Sequence, residues 1–460
     1  MNSDFLSFRE RFPEFVYDGY SVVETNEGIL LKFDFSVPGL CEFHPKTLIV
    51  TDNLEIANDP FSEYADRMVF FIGMAEAVSY WKCACPPTFS VRCGNLSDED
   101  IHFFKKLWFN GLGEFFFRNG IETDIDSFVN INISAPKAFD AVKCGGYRST
   151  GIQIIPVGGG KDSAVTTELL RPFGDSLRFF TVNDQPARTA CVEAAGYGAE
   201  RIIRTRRTID PELLRLNSEG FLNGHTPFSS VVAFISMYCG HITGAENIVL
   251  SNEASANDSN IGGAEVNHQY SKSFEFERDF NILRERNFSC TASYFSLLRP
   301  FNELQIAKQF AAYPQYHSVF RSCNAGSKRN IWCTECAKCL FVAIILSPFL
   351  PPEKLHDIFG CDMLDKSELV EEFDGLCGFS GVKPFECVGT ASEVTYALHE
   401  TAKKYRAAGT EMPFLLRRFC EKIQSDPDSG LLKEYNNENL VPAEFEDCVK
   451  RMYNYVSAAD

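Results

Sequence analysis

The sequence lacks any excess of positive charge. Its 44 Lys and Arg residues are outnumbered by 62 Asp and Glu residues, which gives a formal net charge of −18 at pH 7. Proteins that bind the phosphate backbone of a nucleic acid usually carry a basic surface, because binding depends on neutralising phosphates. We therefore expect no nucleic-acid partner for this chain.

Long apolar runs are also missing. The first ten residues include Asp4, Arg9 and Glu10, and they lack the apolar core of a signal peptide. No uncharged apolar run approaches the roughly 20 residues that a membrane span requires. These features predict a cytoplasmic protein that does not interact with a membrane.

The chain has 460 residues, of which 45% are hydrophobic, so it is long enough for two or three domains of about 100–200 residues each. In residues 1–145, alternating apolar residues predict antiparallel strands at 28–37 and 46–51. Apolar residues at helical spacing predict helices at 64–80 and 98–117. We expect this segment to be an α+β domain that holds the part of a substrate that does not react.

Residues 146–350 alternate between strand patterns and helix patterns. Strands are expected at 152–157, 177–182, 201–204, 248–250 and 294–298, and helices at 187–195, 227–240 and 302–312, the last capped by Asn302. This alternation is typical of a parallel sheet with helices on its faces. The predicted fold class is α/β, with an open parallel sheet and flanking helices, and with a mainly helical region at 351–460 that shows no recognisable chemistry.

The strand at 152–157 runs into a glycine loop, followed by a helix pattern. The loop and the helix start comprise Gly158, Gly159, Gly160, Lys161, Asp162 and Ser163. Glycines let backbone N–H groups turn toward an anion, and the positive end of the helix adds to the attraction. The loop is expected to bind phosphate, although such glycines also serve simply to turn a chain. Asp162 interrupts the Gly-Lys-Ser order of a P-loop, and Ser163 replaces the last glycine of Gly-x-Gly-x-x-Gly.

This loop resembles the pyrophosphatase loop, or PP-loop, of the ATP-pyrophosphatase superfamily, Ser-Gly-Gly-x-Asp-Ser, with Gly158 in place of the leading serine. The resemblance implies an adenine nucleotide alpha hydrolase-like PP-loop domain that binds ATP and releases AMP and pyrophosphate. Lys161 and a Mg²⁺ ion near Asp162 would offset the charge that builds up on the leaving pyrophosphate. Alternatively, Lys161 is a solvated lysine, and Asp162 and Ser163 are helix caps.

Polar residues follow two further predicted strands. They are Asn183, Asp184, Ser251, Asn252 and Glu253. Residues at the carboxyl ends of strands face the ligand crevice of an open α/β sheet. We assign Asn183 and Asp184 to nucleotide binding and Glu253 to the catalytic group, with a solvated strand end as the alternative for Glu253.

A polar, glycine-bearing loop at 257–264 precedes a second cluster of candidates. A helix that begins near residue 266 would place His268 and Lys272 on one face, because they are four residues apart. That would bring an imidazole and an ammonium into one crevice, whereas a surface helix with a hydrogen-bonded histidine explains the same residues. His225 is a further candidate, or else a cap of the helix at 227–240.

Four of the 17 cysteines are spaced as metal ligands. They are Cys323, Cys333, Cys336 and Cys339. Cys-x-x-Cys steps let a tight turn bring two sulfurs to one metal, and four sulfurs close a tetrahedral shell. A structural zinc is the favoured occupant, with an iron–sulfur cluster or plain reduced thiols as alternatives.

Five segments considered together carry a more specific resemblance. They are residues 157–163, 224–227, 251–253, 266–273 and 332–339. In combination they resemble the UDP-N-acetyl-muramoyl-L-alanyl-L-glutamate epimerase family over roughly residues 150–350. The resemblance implies that ATP and Mg²⁺ activate the terminal L-glutamate of the small-molecule substrate UDP-MurNAc-L-Ala-L-Glu, which is then inverted to D-glutamate with release of AMP and pyrophosphate.

The implied chemistry needs both activation and proton transfer. An ionised carboxylate resists loss of the neighbouring α proton, because a second negative charge would build up beside it, and an acyl-adenylate removes that obstacle. A base then takes the proton and an acid returns one to the opposite face, both working best with pKa values near neutral. His268 is the first choice, followed by Lys272, Tyr270 and His225, with Glu253 also in the catalytic group.

Three other functions remain open at this point. A ligase resembling 7-cyano-7-deazaguanine synthase has the same loop and a similar four-cysteine spacing, but that family is much shorter and leaves residues 1–145 unexplained. A tRNA-thiolating enzyme is disfavoured by the net charge of −18. A non-catalytic nucleotide-binding protein would bind ATP without turnover, so a pyrophosphate-release assay would distinguish it from the enzymes.

Overall fold

The computed structural model describes residues 3–134, 146–257, 267–380, 383–423 and 430–458. The strands are β1 (Glu14–Thr25), β2 (Gly28–Val37), β3 (Cys41–Phe43), β4 (Lys46–Val50), β5 (Thr88–Val91), β6 (Asn130–Ile133), β7 (Gln153–Pro156), β8 (Leu177–Val182), β9 (Ile202–Thr208), β10 (Asn247–Leu250) and β11 (Ser293–Ser296). The helices are α1 (Ser3–Arg11), α2 (Glu63–Trp81), α3 (Asp98–Gly111), α4 (Gly113–Arg118), α5 (Lys161–Leu169), α6 (Pro186–Ala194), α7 (Pro211–Ser218), α8 (Phe228–Thr243), α9 (Phe274–Asn287), α10 (Glu303–Ala311), α11 (Ala337–Leu346), α12 (Pro352–Phe359), α13 (Val370–Leu376), α14 (Ala391–Ala408), α15 (Phe414–Lys422) and α16 (Glu446–Ser457).

All eleven strands belong to one mixed sheet. The strands β11, β10, β7, β8 and β9 lie side by side in that order and run parallel. Next to them, β4 pairs antiparallel with β9, and the sheet continues through β2, β1, β5 and β6, while β3 pairs with β2. The α/β class is confirmed, and the predicted parallel sheet is five strands of a larger mixed sheet.

The strands of the N-terminal segment, β1 to β6, therefore share a sheet with the strands of the central segment. Thr47 of β4 lies opposite Arg207 of β9. The guanidinium of Arg207 donates three hydrogen bonds to the carboxylate of Glu76 on α2, at 2.6, 2.8 and 3.0 Å. The predicted junction at 145 and 146 adjoins residues 135–145, which lie outside the described residues, and the domain limits remain predictions.

The strands β7, β8 and β10 are mainly apolar because both of their faces are buried. Ile154 of β7, Phe180 of β8 and Ile248 of β10 belong to one hydrophobic core. Their chain neighbours Ile155, Phe179 and Val249 belong to a second core. Successive side chains of a strand point to opposite faces, so each of these strands serves both cores at once.

Helices cover both faces of this part of the sheet. The first core contains residues of α2, α3, α8 and α9, which are buried together with the strands of residues 1–145. The second core contains residues of α5, α10, α11, α14, α15 and α16. The described part of residues 351–460 contains helices and no strands, and none of the helices in the described residues is long and apolar enough to span a bilayer.

Several local predictions are confirmed, and two need correction. The strand at 177–182 has the predicted bounds, and Asn302 caps α10 by accepting a hydrogen bond from the N–H of Gln305. The helix expected at 98–117 is instead two helices, α3 and α4, which are separated by Leu112. The short strand expected at 201–204 extends to Thr208 because its second half pairs with β4.

Candidate active site

A cavity of about 430 Å³ lies at the carboxyl ends of β7, β8 and β10. Its lining includes Pro156 at the end of β7, Val157 after it, Val182 at the end of β8, and the segment 251–253 after β10. This is the edge at which an open α/β sheet binds its ligands, and the volume falls within the range of small-molecule sites, about 300–1,000 Å³. The predicted crevice is present.

The glycine loop forms one wall of this cavity. Gly158, Gly160, Asp162 and Ser163 all line it. The N-cap of α5 is Gly160, which has no side chain that could accept a hydrogen bond. The first N–H groups of the helix are therefore left without a side-chain cap. Asp162 and Ser163 lie inside the first turn of α5, and the alternative that they cap the helix is wrong. The arrangement suits an anion such as phosphate.

Lys161 does not face the cavity. Its side chain is 2% exposed and forms ion pairs with Asp162 and Glu303, so it is not a solvated lysine. Burial favours the neutral amine, but the Asp162 and Glu303 carboxylates outweigh burial and raise the pKa of Lys161. Burial also raises the pKa of Glu303 to about 7. Lys161 thus neutralises carboxylates beneath the loop.

Other cations line the cavity instead, and the sequence analysis did not find them. They are Arg188 on α6, Arg321 ahead of the first cluster cysteine, and Lys338 on α11. The Nε atoms of Arg188 and Arg321 and the Oγ atom of Ser251 are buried without a hydrogen-bond partner among the described residues. Buried polar atoms are normally paired, so three unpaired ones around one cavity indicate that a polar ligand completes the site.

Asn183 and Asp184 lie in the turn after β8 and are not among the residues that line the cavity. Asn183 has a left-handed backbone with φ of 57°, and its Oδ1 accepts a hydrogen bond from the N–H of Arg207 at 2.7 Å. Asp184 accepts a hydrogen bond from the N–H of Gln185 and pairs with Arg204 at 3.1 Å. In this structure both side chains shape the turn.

Glu253 lines the cavity and is 5% exposed, so it is not a solvated strand end. Arg299, which is fully buried, donates hydrogen bonds to the carbonyl oxygens of Glu253 and Lys272, each at 2.7 Å. The same guanidinium donates to the carboxylate of Glu277 at 2.8 Å. Arg299 therefore holds the backbones of the two predicted catalytic segments together.

The helix predicted to begin near residue 266 is wrong where the structure describes it. Residue 266 and most of the loop at 257–264 lie outside the described residues. His268 lies in a turn, a single 3-10 turn spans Tyr270–Lys272, and α9 begins only at Phe274 because Ser273 caps it. His268 and Lys272 still meet, but they do so through a third residue and not through a shared helix face.

That third residue is Cys387, from a segment to which the sequence analysis assigned no chemistry. The Nζ atom of Lys272 lies 3.1 Å from the sulfur of Cys387, and the imidazole of His268 also hydrogen-bonds the Cys387 side chain. Lys272 and Cys387 line the cavity, whereas His268 is not among its lining residues. A single cysteine without a spacing motif gave the sequence analysis no signal to use.

His268 has a carboxylate on its other side. Its Nδ1 atom lies 2.5 Å from Oε2 of Glu114 on α4. Burial favours the neutral imidazole, but the hydrogen bonds to Cys387 and Glu114 outweigh burial and raise the pKa of His268 to about 9. Glu114 comes from residues 1–145, so the N-terminal segment contributes a side chain that contacts His268.

The ring of His225 lies against that of His268, with centroids 4.1 Å apart and the ring planes tilted by 40°. Burial and the neighbouring His268 lower the pKa of His225 to about 4, which favours a neutral His225 beside a protonated His268 at neutral pH. Pro227 is the N-cap of α8, and the alternative that His225 caps this helix is wrong. Ligand atoms of Glu114, His225 and His268 lie within 4.8 Å of one another, and Glu114 and His268 are in direct hydrogen-bond contact.

Tyr270 is buried and is not among the residues that line the cavity. Burial raises the pKa of its hydroxyl to about 12, and the side chain of Asn110 hydrogen-bonds it. The ring belongs to the first core. The observed position of Tyr270 is that of a packing residue.

The four predicted cysteines converge on one point. The sulfurs are 3.9 Å apart for Cys323 and Cys336, 3.7 Å for Cys333 and Cys339, and 3.6 Å for Cys336 and Cys339. A tetrahedral zinc with Zn–S bonds of about 2.3 Å requires sulfurs roughly 3.8 Å apart. The cluster is therefore a candidate zinc-binding site with the required donor set and spacing.

Backbone N–H groups complete the surroundings of these sulfurs. Gly326 donates to the sulfur of Cys323 at 3.1 Å, and Glu335 donates to that of Cys333 at 3.4 Å. A side chain at position 326 would bring its Cβ to 2.0 Å from the carbonyl oxygen of Ile331. Only glycine fits there, since the backbone of this loop closes tightly around the cluster.

Comparison with known proteins identifies the relatives of this chain. Residues 7–297 match the family described as MurL N-terminal domain, and residues 318–429 match the MurL C-terminal domain. No solved structure matches.

Three curated relatives carry the name UDP-N-acetyl-alpha-D-muramoyl-L-alanyl-L-glutamate epimerase. The protein from Xanthomonas oryzae pv. oryzae is 34% identical over 364 residues, which cover 77% of this chain and 78% of the relative. The protein from a Micromonospora species is 33% identical and covers 86% of this chain and 88% of its own length. The protein from Salinispora tropica is 34% identical and covers 84% of both chains.

Proposed function

The chain belongs to the MurL family, and from this membership we propose that it inverts the terminal L-glutamate of UDP-MurNAc-L-Ala-L-Glu to D-glutamate. The relatives that cover most of its length are named for this epimerisation. The chain is accordingly an isomerase that acts on a UDP-muramoyl dipeptide in the synthesis of a peptidoglycan precursor.

The mechanism that we propose begins with activation of the glutamate by ATP. One observation carries this proposal: a single cavity is lined both by the glycine loop and by the pair Lys272 and Cys387. The loop offers the uncapped start of α5 for phosphates, and the pair offers groups that bind protons. An anion site beside a proton-transfer site is what activation followed by inversion requires.

The residues around the loop fit a triphosphate. Arg188, Arg321 and Lys338 line the cavity and would offset phosphate charge, and the unpaired Nε atoms of both arginines suit phosphate oxygens. Asp162 would hold Mg²⁺, whose role would be to neutralise charge on the leaving pyrophosphate. Lys161 would act indirectly, by keeping Asp162 ionised: burial opposes ionisation, but Lys161 and Lys338 lower the pKa of Asp162.

Inversion would follow on the activated glutamate. Adenylation replaces the negative carboxylate by a neutral acyl group, so the α proton becomes easier to remove. The candidates for moving this proton are Lys272, Glu253, and His268 with its partners Glu114 and Cys387. Of the catalytic residues predicted from the sequence, Lys272 and Glu253 line the cavity. Hydrolysis of the acyl-adenylate would then release AMP and make the inversion irreversible.

The cysteine cluster would hold a structural zinc. Four sulfur ligands leave no open position for water, so the ion would stabilise the loop and take no part in the reaction. The loop matters for the site because Arg321, two residues before Cys323, donates its backbone N–H to the carbonyl of Gly159 at 2.7 Å. A cluster closed by zinc would thereby fix the position of Arg321 relative to the glycine loop.

The test of this function is a product assay in deuterated water. Given ATP, Mg²⁺ and UDP-MurNAc-L-Ala-L-Glu, the protein should release AMP and pyrophosphate and incorporate deuterium at the glutamate α carbon. Mass spectrometry measures the deuterium, and chiral analysis after hydrolysis measures D-glutamate. ATP turnover without deuterium uptake would contradict epimerisation and favour a ligase.

A matched variant separates activation from inversion. Asp162→Asn should abolish pyrophosphate release, because the amide holds Mg²⁺ poorly and leaves phosphate charge uncompensated. Asp175→Asn, at an almost fully exposed aspartate that follows α5 in the chain, is the control and should leave the rate unchanged. Equal pyrophosphate release by both variants would contradict the role of Asp162.

A further inference from the structure

Cys387 occupies an unusual position for a cysteine in this chain. Its thiol lines the cavity beside Lys272, and the two side chains are 3.1 Å apart. The Nζ atom of Lys338 donates a hydrogen bond to the carbonyl oxygen of Cys387 and so holds its backbone. The thiol therefore lies at the wall of a polar cavity, next to cations.

The segment that carries Cys387 is anchored to the N-terminal part of the chain. The ring of Phe385 lies 5.4 Å from that of Phe117, and the guanidinium of Arg118 lies over it at 5.4 Å. Both partners belong to α4, the helix that also carries Glu114. One helix thus positions the cysteine segment and provides the carboxylate behind His268.

Glu114, His268 and Cys387 form a hydrogen-bonded series of carboxylate, imidazole and thiol. Within this series, Cys387 lines the cavity, and Glu114 and His268 are not among the lining residues. In such an arrangement the imidazole accepts or stabilises the proton of the thiol, and the carboxylate keeps the imidazole in its orientation. The group that can touch a ligand is the sulfur.

The surrounding charges favour the thiolate. Burial opposes ionisation of Cys387, but Lys272, His268 and Lys338 outweigh burial and lower the pKa of the thiol to about 6. By contrast, burial raises the pKa of Cys191 to about 12. A thiolate beside an imidazolium is the reactive form of a cysteine.

We propose that Cys387 is a catalytic residue that removes the α proton on one face of the activated glutamate, and that His268 and Glu114 are positioning residues for this thiolate. This inference rests on the proposed function. It changes the role of His268, which the sequence analysis placed first among the bases.

The proton transfer balances without a further reactant. The sulfur lone pair of Cys387 forms an S–H bond as the Cα–H bond breaks, and the electron pair of that bond is delocalised into the acyl group. Lys272, which lines the same wall, offsets the negative charge that develops there. A proton of solvent origin is then delivered to the opposite face, and the thiol of Cys387 loses its proton to solvent.

Two half-reactions test this role separately. Cys387→Ser should retain substrate-dependent exchange of labelled pyrophosphate into ATP, because the glycine loop is untouched, but it should lower deuterium uptake at the α carbon by about 100-fold or more. Cys361→Ser, at a half-buried cysteine outside the site, is the control and should leave both rates unchanged. Deuterium uptake by Cys387→Ser within about threefold of the unmodified rate would overturn the proposal.

The same measurements distinguish the two possible failures. If the unmodified protein catalyses neither pyrophosphate exchange nor deuterium uptake, the proposed function is wrong and the role of Cys387 is overturned with it. If the unmodified protein catalyses both and Cys387→Ser also does so, only the role of Cys387 is wrong.

Alkylation of the unmodified protein gives a second readout that does not depend on a variant folding. Iodoacetamide should modify Cys387 with a pH midpoint near 6, measured by peptide mass spectrometry, and substrate should slow this reaction. The charged groups that face the thiol are Lys272, His268 and Lys338, with Glu114 and His225 behind His268 and Glu386 beside it in the chain. His268→Gln should raise the midpoint by at least one pH unit, whereas a merely structural His268 would leave the midpoint unchanged; an unchanged midpoint would overturn its positioning role.

Discussion

Individual residues of the site work through backbone conformation and charge. Gly159 has φ of 83°, in the left-handed region that side chains disfavour, and this turn aims the loop at the cavity. Gly158 is an ordinary position by comparison, because its φ is not positive and a Cβ added to it would meet no atom within 4 Å. Two neighbouring glycines of one motif thus serve different purposes.

The two glycines should respond differently to alanine. Gly159→Ala is expected to lose about 1–2 kcal/mol of unfolding free energy, because the left-handed backbone is strained and the new methyl lies 3.2 Å from Cβ of Ala187. Gly158→Ala is the matched control and should change stability little. Thermal unfolding of both variants measures the difference, and equal losses would contradict the conformational argument.

The paired histidines predict a pH dependence of stability. Burial and the neighbouring His268 lower the pKa of His225 to about 4, below the value of about 6.5 for an unfolded histidine. Its neutral form therefore stabilises the fold fully above pH 6.5, and this contribution is lost as the pH falls through 4. As the pH falls from 7 to 4, the unmodified protein should lose more unfolding free energy than the His225→Gln variant. The difference should be on the order of 2–3 kcal/mol.

Denaturant titrations between pH 7 and 4 measure this effect. His102→Gln, at a histidine outside the site, is the control and should follow the unmodified protein across the range. A parallel fall for His225→Gln and the unmodified protein would show that His225 is not held neutral by its surroundings.

At the scale of secondary-structure elements, the candidate site residues lie mostly in loops that follow strands or precede helices, and buried ion pairs hold these loops. Arg299 joins the backbone after β10 to the 3-10 turn before α9, and Lys161 joins the start of α5 to Glu303 on α10. The cysteine cluster closes the loop before α11. The contacts of Arg299 and Lys161 join separate elements, whereas the cysteine cluster closes a single loop.

The cysteine loop should bind one zinc per chain, because its four sulfurs match a tetrahedral shell. Cys336→Ser should lose the metal and lower the melting temperature, since the loop then closes without its central ion. Cys420→Ser, at a half-buried cysteine outside the cluster, is the control and should change neither the zinc content nor the melting temperature. Elemental analysis and thermal unfolding measure the result, and purified protein with neither zinc nor iron would contradict a metal site.

At the scale of the whole molecule, the two hydrophobic cores share the central strands. Trp81 and Trp108 lie in the first core, and Trp332 lies in the second. Because β7, β8 and β10 contribute to both cores, one core cannot unfold and leave the other with an intact wall. The molecule is therefore expected to unfold as one cooperative unit.

Tryptophan fluorescence can test this cooperativity. Trp332→Phe leaves the two reporters of the first core, and the double variant Trp81→Phe with Trp108→Phe leaves the reporter of the second. In each variant, the fluorescence midpoint in denaturant should coincide with the midpoint from far-ultraviolet circular dichroism. Separate midpoints would show that the two cores unfold separately and would contradict this cooperativity.

Local sequence patterns were sufficient to predict those features whose structure is set by residues close together in the chain. Alternating apolar residues predicted β2, and Asn302 predicted the start of α10. The glycine loop and the residues after β10 line the predicted crevice, and the four cysteines converge as their spacing predicted. Steric freedom at glycine, capping hydrogen bonds and ligand spacing act over a few residues. They can therefore be read directly from the sequence.

Tertiary structure alone decided which side chains meet. Lys161 pairs with Glu303, 142 residues away in the chain, and does not line the cavity. The cations that line the cavity are Arg188, Arg321 and Lys338. His268 contacts Glu114, 154 residues away, and Lys272 contacts Cys387 across 115 residues. Such contacts depend on how the sheet and its helices pack, because burial and long-range charge set both the exposure and the pKa of each group. The sequence determined the glycine loop and the four-cysteine spacing, and packing brought Lys272, Cys387, His268 and Glu114 together.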